Sequence, residues 1–160
     1  MNIRVGFGYD VHSFSSGREL WLGGIHIEHS VGLLGHSDAD VLIHALCDAL
    51  LGAANLRDIG FNFPDTSSEY KNIDSKLLLM DTTLMIRNKG YEIGNIDCTV
   101  CAGEPKLNPF IPAMQICLSE VMGIDIDNIS IKATTVEKMG FVGRKEGMAA
   151  YATVLIFKAF

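Results

Sequence analysis

Positive charge is scarce in this chain: 13 Lys and Arg stand against 19 Asp and Glu, a net charge of −6, and there is no basic run. That removes the electrostatic basis for a nucleic-acid surface, while a phosphorylated small molecule stays compatible if metals and backbone amides offset the like charge. No apolar run approaches the roughly 20 residues that span a bilayer, and Met1-Asn2-Ile3-Arg4 leads into a strand instead of a signal or transit peptide. The expectation is a cytoplasmic protein without a membrane partner. No internal repeat or linker breaks the 160 residues, so residues 1–160 read as a single domain. No cysteine arrangement suits a metal. Cys98 and Cys101 have redox-motif spacing, but an offset of three in a strand sends them to opposite faces; with Cys47 and Cys117 they read as core residues of a reducing compartment.

What the chain does contain is 48% hydrophobic residues, 20% charged residues and 16 glycines, a globular composition with several tight turns or close backbone approaches. Ile3 to Asp10 reads as a first strand, followed by a polar loop over Ser13 to Gly17; its Gly-x-Gly lacks the third glycine and the helix of a dinucleotide fingerprint. Glu19 to Leu22 and Ile25 to Ile27 around Gly23-Gly24 predict a hairpin, with His26 and His29 facing solvent. A helix starting near Ser37, capped by Ser37 with Asp40 three residues on, would bury Val41, Leu42, Ala45, Leu46, Ala49 and Leu50. Asn55 to Asp74 reads as a long loop of the kind that forms a binding lid.

Ser75 to about Lys89 is a second helix with Leu77, Leu78, Leu84 and Met85 in its apolar stripe and Gly90 as its stop. Tyr91 to Cys101, Asn128 to Thr134 and Ala149 to Lys158 are further strands, the last lacking alternation as though covered on both faces, and a third helix runs from Pro112 to Gly123. The loop Thr134 to Glu146, dense in hydroxyls, charges and glycine, is a candidate binding segment. The predicted fold is α+β: a mixed four-stranded sheet with helices on one face plus an N-terminal hairpin, the other face left for a neighbouring copy.

The chemistry gathers at Asp10-Val11-His12 and at His36-Ser37-Asp38-Ala39-Asp40 with His44. On a strand, Asp10 and His12 share a face, and on a helix His44 follows Asp40 by one turn. One carboxylate and two imidazoles suit zinc, and three protein ligands leave the fourth position open, as catalytic sites do. The amides of a helix beginning here would place His36 and Ser37 where a phosphate could be held; simple capping is the plainer alternative.

Seven segments in order resemble the 2-C-methyl-D-erythritol 2,4-cyclodiphosphate synthase family over the whole chain. They are Gly6 to His12, His36 to Asp40 with His44, Asp58-Ile59-Gly60, Phe63-Pro64-Asp65-Thr66, Pro105-Lys106, Ala133 to Glu137, and Gly140 to Arg144. The resemblance implies a homotrimer with active sites between subunits, zinc on Asp10, His12 and His44, and a magnesium or manganese ion on Glu137. It further implies catalytic roles for His36 and Thr135, with Ser37, Asp58, Gly60, Asp65, Phe141 and Arg144 on the substrate. The cytidine of a diphosphate substrate would lie against Ala102, Lys106, Leu107, Ala133, Thr134 and Thr135, and Asp40 would support the metal site from behind. In the family, Arg144 and Glu146 line a central cavity that can hold a prenyl diphosphate; an ordinary surface pair is the alternative here. The chain departs from the family pattern at Ala39, in place of a usual glycine, and at Ser67, Val136 and Val142.

The implied reaction is cyclisation of 4-diphosphocytidyl-methylerythritol 2-phosphate with release of CMP, which needs no protein nucleophile. Two rivals use the same residues. A zinc hydrolase would take Asp40 as base, and a non-catalytic nucleotide-binding trimer would close its metal shell with a fourth ligand.

Overall fold

The computed structural model describes residues 2–158, so Met1 and the last two residues lie outside the described chain. Strand β1 (Ile3–Ser15) is longer than its sequence signal, continuing into the polar segment expected to be loop, of which Ser16 and Gly17 form the turn. It is followed by β2 (Leu20–Leu22) and β3 (Ile25–Ile27), which pair antiparallel around the Gly23-Gly24 turn, and by β4 (Gly32–Leu33). Both turn glycines have positive φ (60° and 78°), which a two-residue turn of this hand requires. Helix α1 (Val41–Ala53), the short α2 (Ile59–Asn62), α3 (Ser75–Asn88), β5 (Tyr91–Cys101), α4 (Ile111–Met122), β6 (Ile129–Thr134), the short α5 (Gly140–Gly143) and β7 (Gly147–Lys158) complete the chain.

The sheet order is β4-β1-β7-β5-β6, parallel only between β5 and β6. The four long strands match the predicted mixed sheet, and the two-residue β4 adds a fifth at one edge. Strand β7 is the axis: Ala150 is in register with Asp10 of β1 on one side and Val100 of β5 on the other.

Helix α1 lies closer to the sheet than ordinary side chains allow. A Cβ on Gly6 would sit 1.9 Å from the carbonyl oxygen of Ala49, and one on Gly8 1.9 Å from that of Ala45. Glycine is therefore required at both positions, and the helix drops onto β1 until its carbonyls almost touch the strand. Ten of the thirteen residues of α1 are buried, including every position of the predicted stripe. The helix starts at Val41, not near Ser37, because the Asp40 carboxylate is the cap and accepts from the Ile43 amide. In α3 the buried set is Ser75, Leu78, Leu79, Thr82, Thr83 and Ile86, whereas Leu77 and Leu84 are exposed. Two buried threonines blunted the hydropathy signal; Thr83 is satisfied by its own helix, donating to the Leu79 carbonyl at 2.8 Å.

The opposite face of the sheet is bare in the single chain. Along β1, Val5 is 65% exposed and Phe7 64%, and Tyr9 and Val11 continue the row, with Tyr151 of β7 stacked 5.0 Å from Tyr9. Strand β7 alternates after all: its inner residues are buried, Tyr151 and Thr153 are exposed, and Leu155 and Phe157 are half-covered. A row of large apolar side chains this long on a strand marks an interaction surface. Cys98 and Cys101 face opposite ways as predicted, and burial pushes the Cys98 and Cys47 thiols up to about 12, so both are inert core residues. His26 is exposed, but His29 is half-buried against Phe14.

Candidate active site

The alternation of β1 turns Gly6, Gly8, Asp10 and His12 toward α1. Glycine at 6 and 8 brings the helix down, and one register further Asp10 and His12 meet His44. Asp10 Oδ2 lies 2.9 Å from His12 Nε2 and 3.1 Å from His44 Nδ1, and the two imidazole nitrogens are 3.1 Å apart. Ligands in a tetrahedral zinc shell, each about 2.0–2.1 Å from the metal, stand about 3.3 Å from one another, so these donors converge at close to the right spacing. His12 donates from Nδ1 to the Leu34 carbonyl at 2.7 Å, which turns its Nε2 lone pair inward. His44 Nε2 meets Ser75 Oγ at 2.9 Å and Ser37 Oγ at 3.1 Å. Two nitrogen lone pairs and a carboxylate facing one point form a donor set that fits a divalent cation. Among the described residues the cluster has three ligands, so its shell is open, unlike the closed one of a structural metal.

The electrostatics agree. Burial would raise the Asp10 carboxyl, but hydrogen bonds and charge from His12 and His44 prevail and hold it at about 2. Burial works against the charged form of His12, yet Asp10 overcomes it and raises the pKa.

The triad floors a pocket of about 390 Å³ whose walls include His36, Ser37, Gly60, Phe63 and Asp65. The segment between α1 and α3 is this wall, and it carries a helical turn at Ile59–Asn62 and another at Ser68–Tyr70 where a structureless loop was expected. Asp58 is not on the lining. Its Oδ1 caps α2, accepting from the Phe61 amide at 2.8 Å, and its second oxygen is uncommitted. Asp48, one turn after His44 on α1, accepts from the Ile59 amide at 2.7 Å and ties the wall to the metal helix.

In the second motif the Asp40 side chain touches no ligand histidine, though its backbone carbonyl accepts from the His44 amide at 3.0 Å. The carboxylate is wholly buried and accepts from the amides of Gly23 at 3.0 Å, Gly24 at 2.7 Å and Ile43 at 3.0 Å. Burial, and the charge of Asp38 beside it, push its pKa up against those three amides. It therefore locks the hairpin to the start of α1, and its complete burial away from the pocket keeps it from serving as a hydrolytic base. For the same reason the helix N-terminus is not an anion site, since Asp40 already occupies it. Ala39, where the family has glycine, is buried at φ 60°, a left-handed conformation that favours glycine.

A second pocket, about 330 Å³, is lined by Ala102, Lys106, Leu107, Ala133, Thr134 and Thr135 with Gly103 and Pro105. All six proposed cytidine contacts are thus brought together, between the ends of the parallel pair β5 and β6. None of its lining residues also lines the metal pocket. Beside it Glu137, exposed and at φ 54°, accepts from Thr135 Oγ1 at 3.2 Å. A lone exposed carboxylate fits an ion that keeps its waters and takes its other ligands from phosphate. Phe141 is half-buried on α5, and Arg144 makes an exposed two-pronged pair with Glu146 at 2.7 and 3.1 Å, the ordinary surface arrangement.

Sequence reasoning missed Ser75, Asp38 and Asp48 as parts of the metal site. Ser75 gave only a helix-start signal, Asp38 stood in the second motif without a role of its own, and Asp48 sits on a helix whose hydrophobicity masked it.

Residues 3–157 match the YgbB family. The 2-C-methyl-D-erythritol 2,4-cyclodiphosphate synthase of Parabacteroides distasonis is 71% identical over 156 residues, 98% of this chain and 97% of that one. An IspF structure from Plasmodium falciparum in complex with CDP matches with a TM-score of 0.88 at 35% identity, covering 99% of this chain and 98% of that chain. The bifunctional IspDF of Campylobacter jejuni matches with a TM-score of 0.94 at 47% identity, over 99% of this chain and 42% of that longer one.

Proposed function

The chain belongs to the YgbB family, and from that premise we propose how its own residues carry out the reaction. The reaction is the intramolecular cyclisation of 4-diphosphocytidyl-2-C-methyl-D-erythritol 2-phosphate to 2-C-methyl-D-erythritol 2,4-cyclodiphosphate with release of CMP, a step of non-mevalonate isoprenoid biosynthesis. The enzyme is a phosphorus–oxygen lyase. The observation that carries its mechanism is the open three-donor cluster of Asp10, His12 and His44 at the floor of a pocket whose walls bear His36, Ser37, Gly60 and Asp65.

An oxygen of the substrate's 2-phosphate attacks the β-phosphorus, and the bond from that phosphorus to the α-phosphate oxygen breaks, leaving CMP. Both reacting groups belong to one molecule, so most of what the protein supplies is orientation. His36 and Ser37 hold the attacking phosphate in the metal pocket. Asp58, Gly60 and Asp65 hold the methylerythritol hydroxyls, Asp58 through the oxygen not used in capping α2. Phe141 and Arg144 complete the substrate contacts. At the other end Ala102, Lys106, Leu107, Ala133 and Thr134 grip the cytidine, and Thr135, its hydroxyl turned from Glu137, donates to the diphosphate where charge builds on the leaving group. Zinc on Asp10, His12 and His44 would polarise the attacking phosphate's oxygens, and a magnesium or manganese ion on Glu137 would neutralise charge on the departing one.

The cytidine pocket and the metal pocket share no residue, and the sheet face bearing Val5, Phe7, Tyr9 and Val11 is uncovered. Both features support a homotrimer whose apolar faces meet at the centre, with the metal pocket of one copy facing the cytidine pocket of the next. Arg144 and Glu146 then belong near the central cavity, where their pair would have to open for a prenyl diphosphate to be held. Four free thiols support a cytoplasmic setting.

Phosphorus NMR of the protein with the diphosphocytidyl substrate and magnesium tests the reading. Cyclic diphosphate and CMP in equal amounts are expected, abolished by zinc removal and in His12→Ala. Open-chain phosphates would mean a hydrolase.

A further inference from the structure

Behind the ligand His44 stands a chain of groups that the reaction itself does not use. Ser75 is completely buried, and its Oγ lies 2.9 Å from His44 Nε2. The same hydroxyl donates to Asp38 Oδ1, while Asp38 Oδ2 accepts from the Ser75 amide at 2.8 Å. Asp38 Oδ1 also accepts from the Asp40 amide at 3.2 Å. The direction of the Ser75–Asp38 bond orders the protons along this chain. The Ser75 hydroxyl donates to Asp38, so Ser75 Oγ is an acceptor toward His44. His44 Nε2 then carries a proton toward Ser75 Oγ, and a metal on the side of Nδ1, the atom that faces Asp10 and His12, would replace any proton shared there with Asp10.

We propose that Ser75, oriented by Asp38, is a positioning residue that fixes the tautomer and ring angle of His44 and so sets the affinity of the site for its metal. The inference rests on the metal reading of the Asp10, His12 and His44 cluster and adds to it the device that holds one ligand ready. It also gives the wall segment a purpose. Ser75 is the first residue of α3, immediately after that segment, so the segment's C-terminal end is fastened to the ligand helix through the residues that orient the ligand. Ser37 Oγ is the second neighbour of His44 Nε2, at 3.1 Å, and accepts from the Ala39 amide. With the imidazole proton already on Nε2, the Ser37 hydroxyl proton has no place on His44 and is free to be donated into the pocket. The two serines thus divide the work: Ser75 orients the ligand and Ser37 meets the substrate.

The test compares Ser75→Ala and Ser37→Ala by zinc titration against a chromophoric chelator, with CDP binding measured alongside. Ser75→Ala should weaken zinc roughly ten- to hundredfold and Ser37→Ala no more than about threefold, as expected for loss of an outer partner of a metal-binding histidine against loss of a substrate contact. CDP affinity in the presence of magnesium should stay at the wild-type value in Ser75→Ala. Equal zinc affinity in the two variants, or a Ser75→Ala affinity matching wild type, overturns the proposal. Long-range proton–nitrogen NMR of the wild-type imidazoles gives an answer even if Ser75→Ala fails to fold. A slowly exchanging proton on His44 Nε2, in metal-free protein at pH 8 and with zinc, supports the relay; an Nε2 without one overturns it. A wild-type protein that takes up no zinc would sink the metal reading, and the metal-free spectrum would still judge the relay.

Discussion

The metal pocket and the cytidine pocket are built in opposite ways. In the first, each histidine has a partner fixing its ring, His12 on the Leu34 carbonyl and His44 on Ser75, and the side chains of Asp10 and His44 are 27% and 12% exposed. The second is a cleft between strand ends whose polar residues Lys106, Asn108, Thr134 and Thr135 are all exposed, and the backbone beside it turns through positive φ at Glu137, Lys138 and Gly140. The donor cluster of the first is held by partners within the chain, whereas the second is lined by loop and strand-end residues. In the proposed assembly each is half of a working site.

The comparison breaks most severely at Gly8. Gly8→Ala drives a methyl group into the Ala45 carbonyl, so α1 must lift and carry His44 away from Asp10. We predict a loss of about 3 kcal/mol of stability or more, no zinc in the purified protein and no turnover, read by thermal unfolding and metal analysis. Thr135→Ala strikes the other pocket. Turnover should fall about a hundredfold, as when a single donor to a developing anion is removed, while zinc content stays at the wild-type level. A Thr135→Ala protein depleted of zinc would show that the two pockets are not independent.

A smaller effect separates the pockets by pH. In the metal-free protein His12 has a raised pKa and Asp10 a lowered one, near 2. The His12 contribution to stability is complete below the ordinary histidine range and is lost as pH rises through the raised value. The Asp10 contribution is complete above the ordinary carboxylate range and is lost as pH falls toward 2. Melting temperature of the metal-free protein should therefore fall as pH rises from the ordinary histidine value through the raised one, where His12 gives up its proton. Zinc competes with those protons and should reverse the sign, its stabilisation growing with pH. A Thr135→Ala protein should show both trends unaltered.

Much of this was legible beforehand, for reasons that differ by region. Asp10 and His12 on one strand face and His44 on a helix follow from the two backbone periods, and the structure brings their donor atoms together. The strands and helices were placed by alternation, glycine stops and apolar stripes, with errors where the signal was mixed: Thr82 and Thr83 in the core of α3, and the polar end of β1 held in the sheet by β7 and β4. Asp40 was misread because its spacing from Ser37 imitates a capping box, whereas its real partners, the amides of Gly23 and Gly24, are remote in sequence. Ser75 was invisible as a site residue because a serine at a helix start already has a sufficient local explanation. The cytidine residues came from resemblance alone, since an open cleft of small residues leaves no periodic trace.

The central claim is that the working site is assembled from two half-sites on neighbouring copies, and mixing two inactive variants tests it. His12→Ala, dead in the metal pocket, and Thr135→Ala, impaired in the cytidine pocket, are unfolded together in equal amounts, refolded with zinc, and assayed for CMP release. Random assembly should restore about a quarter of the sites, those pairing an intact metal pocket with an intact neighbour's cytidine pocket. Activity no higher than the sum of the two variants refolded separately would place both halves in one chain and contradict the account.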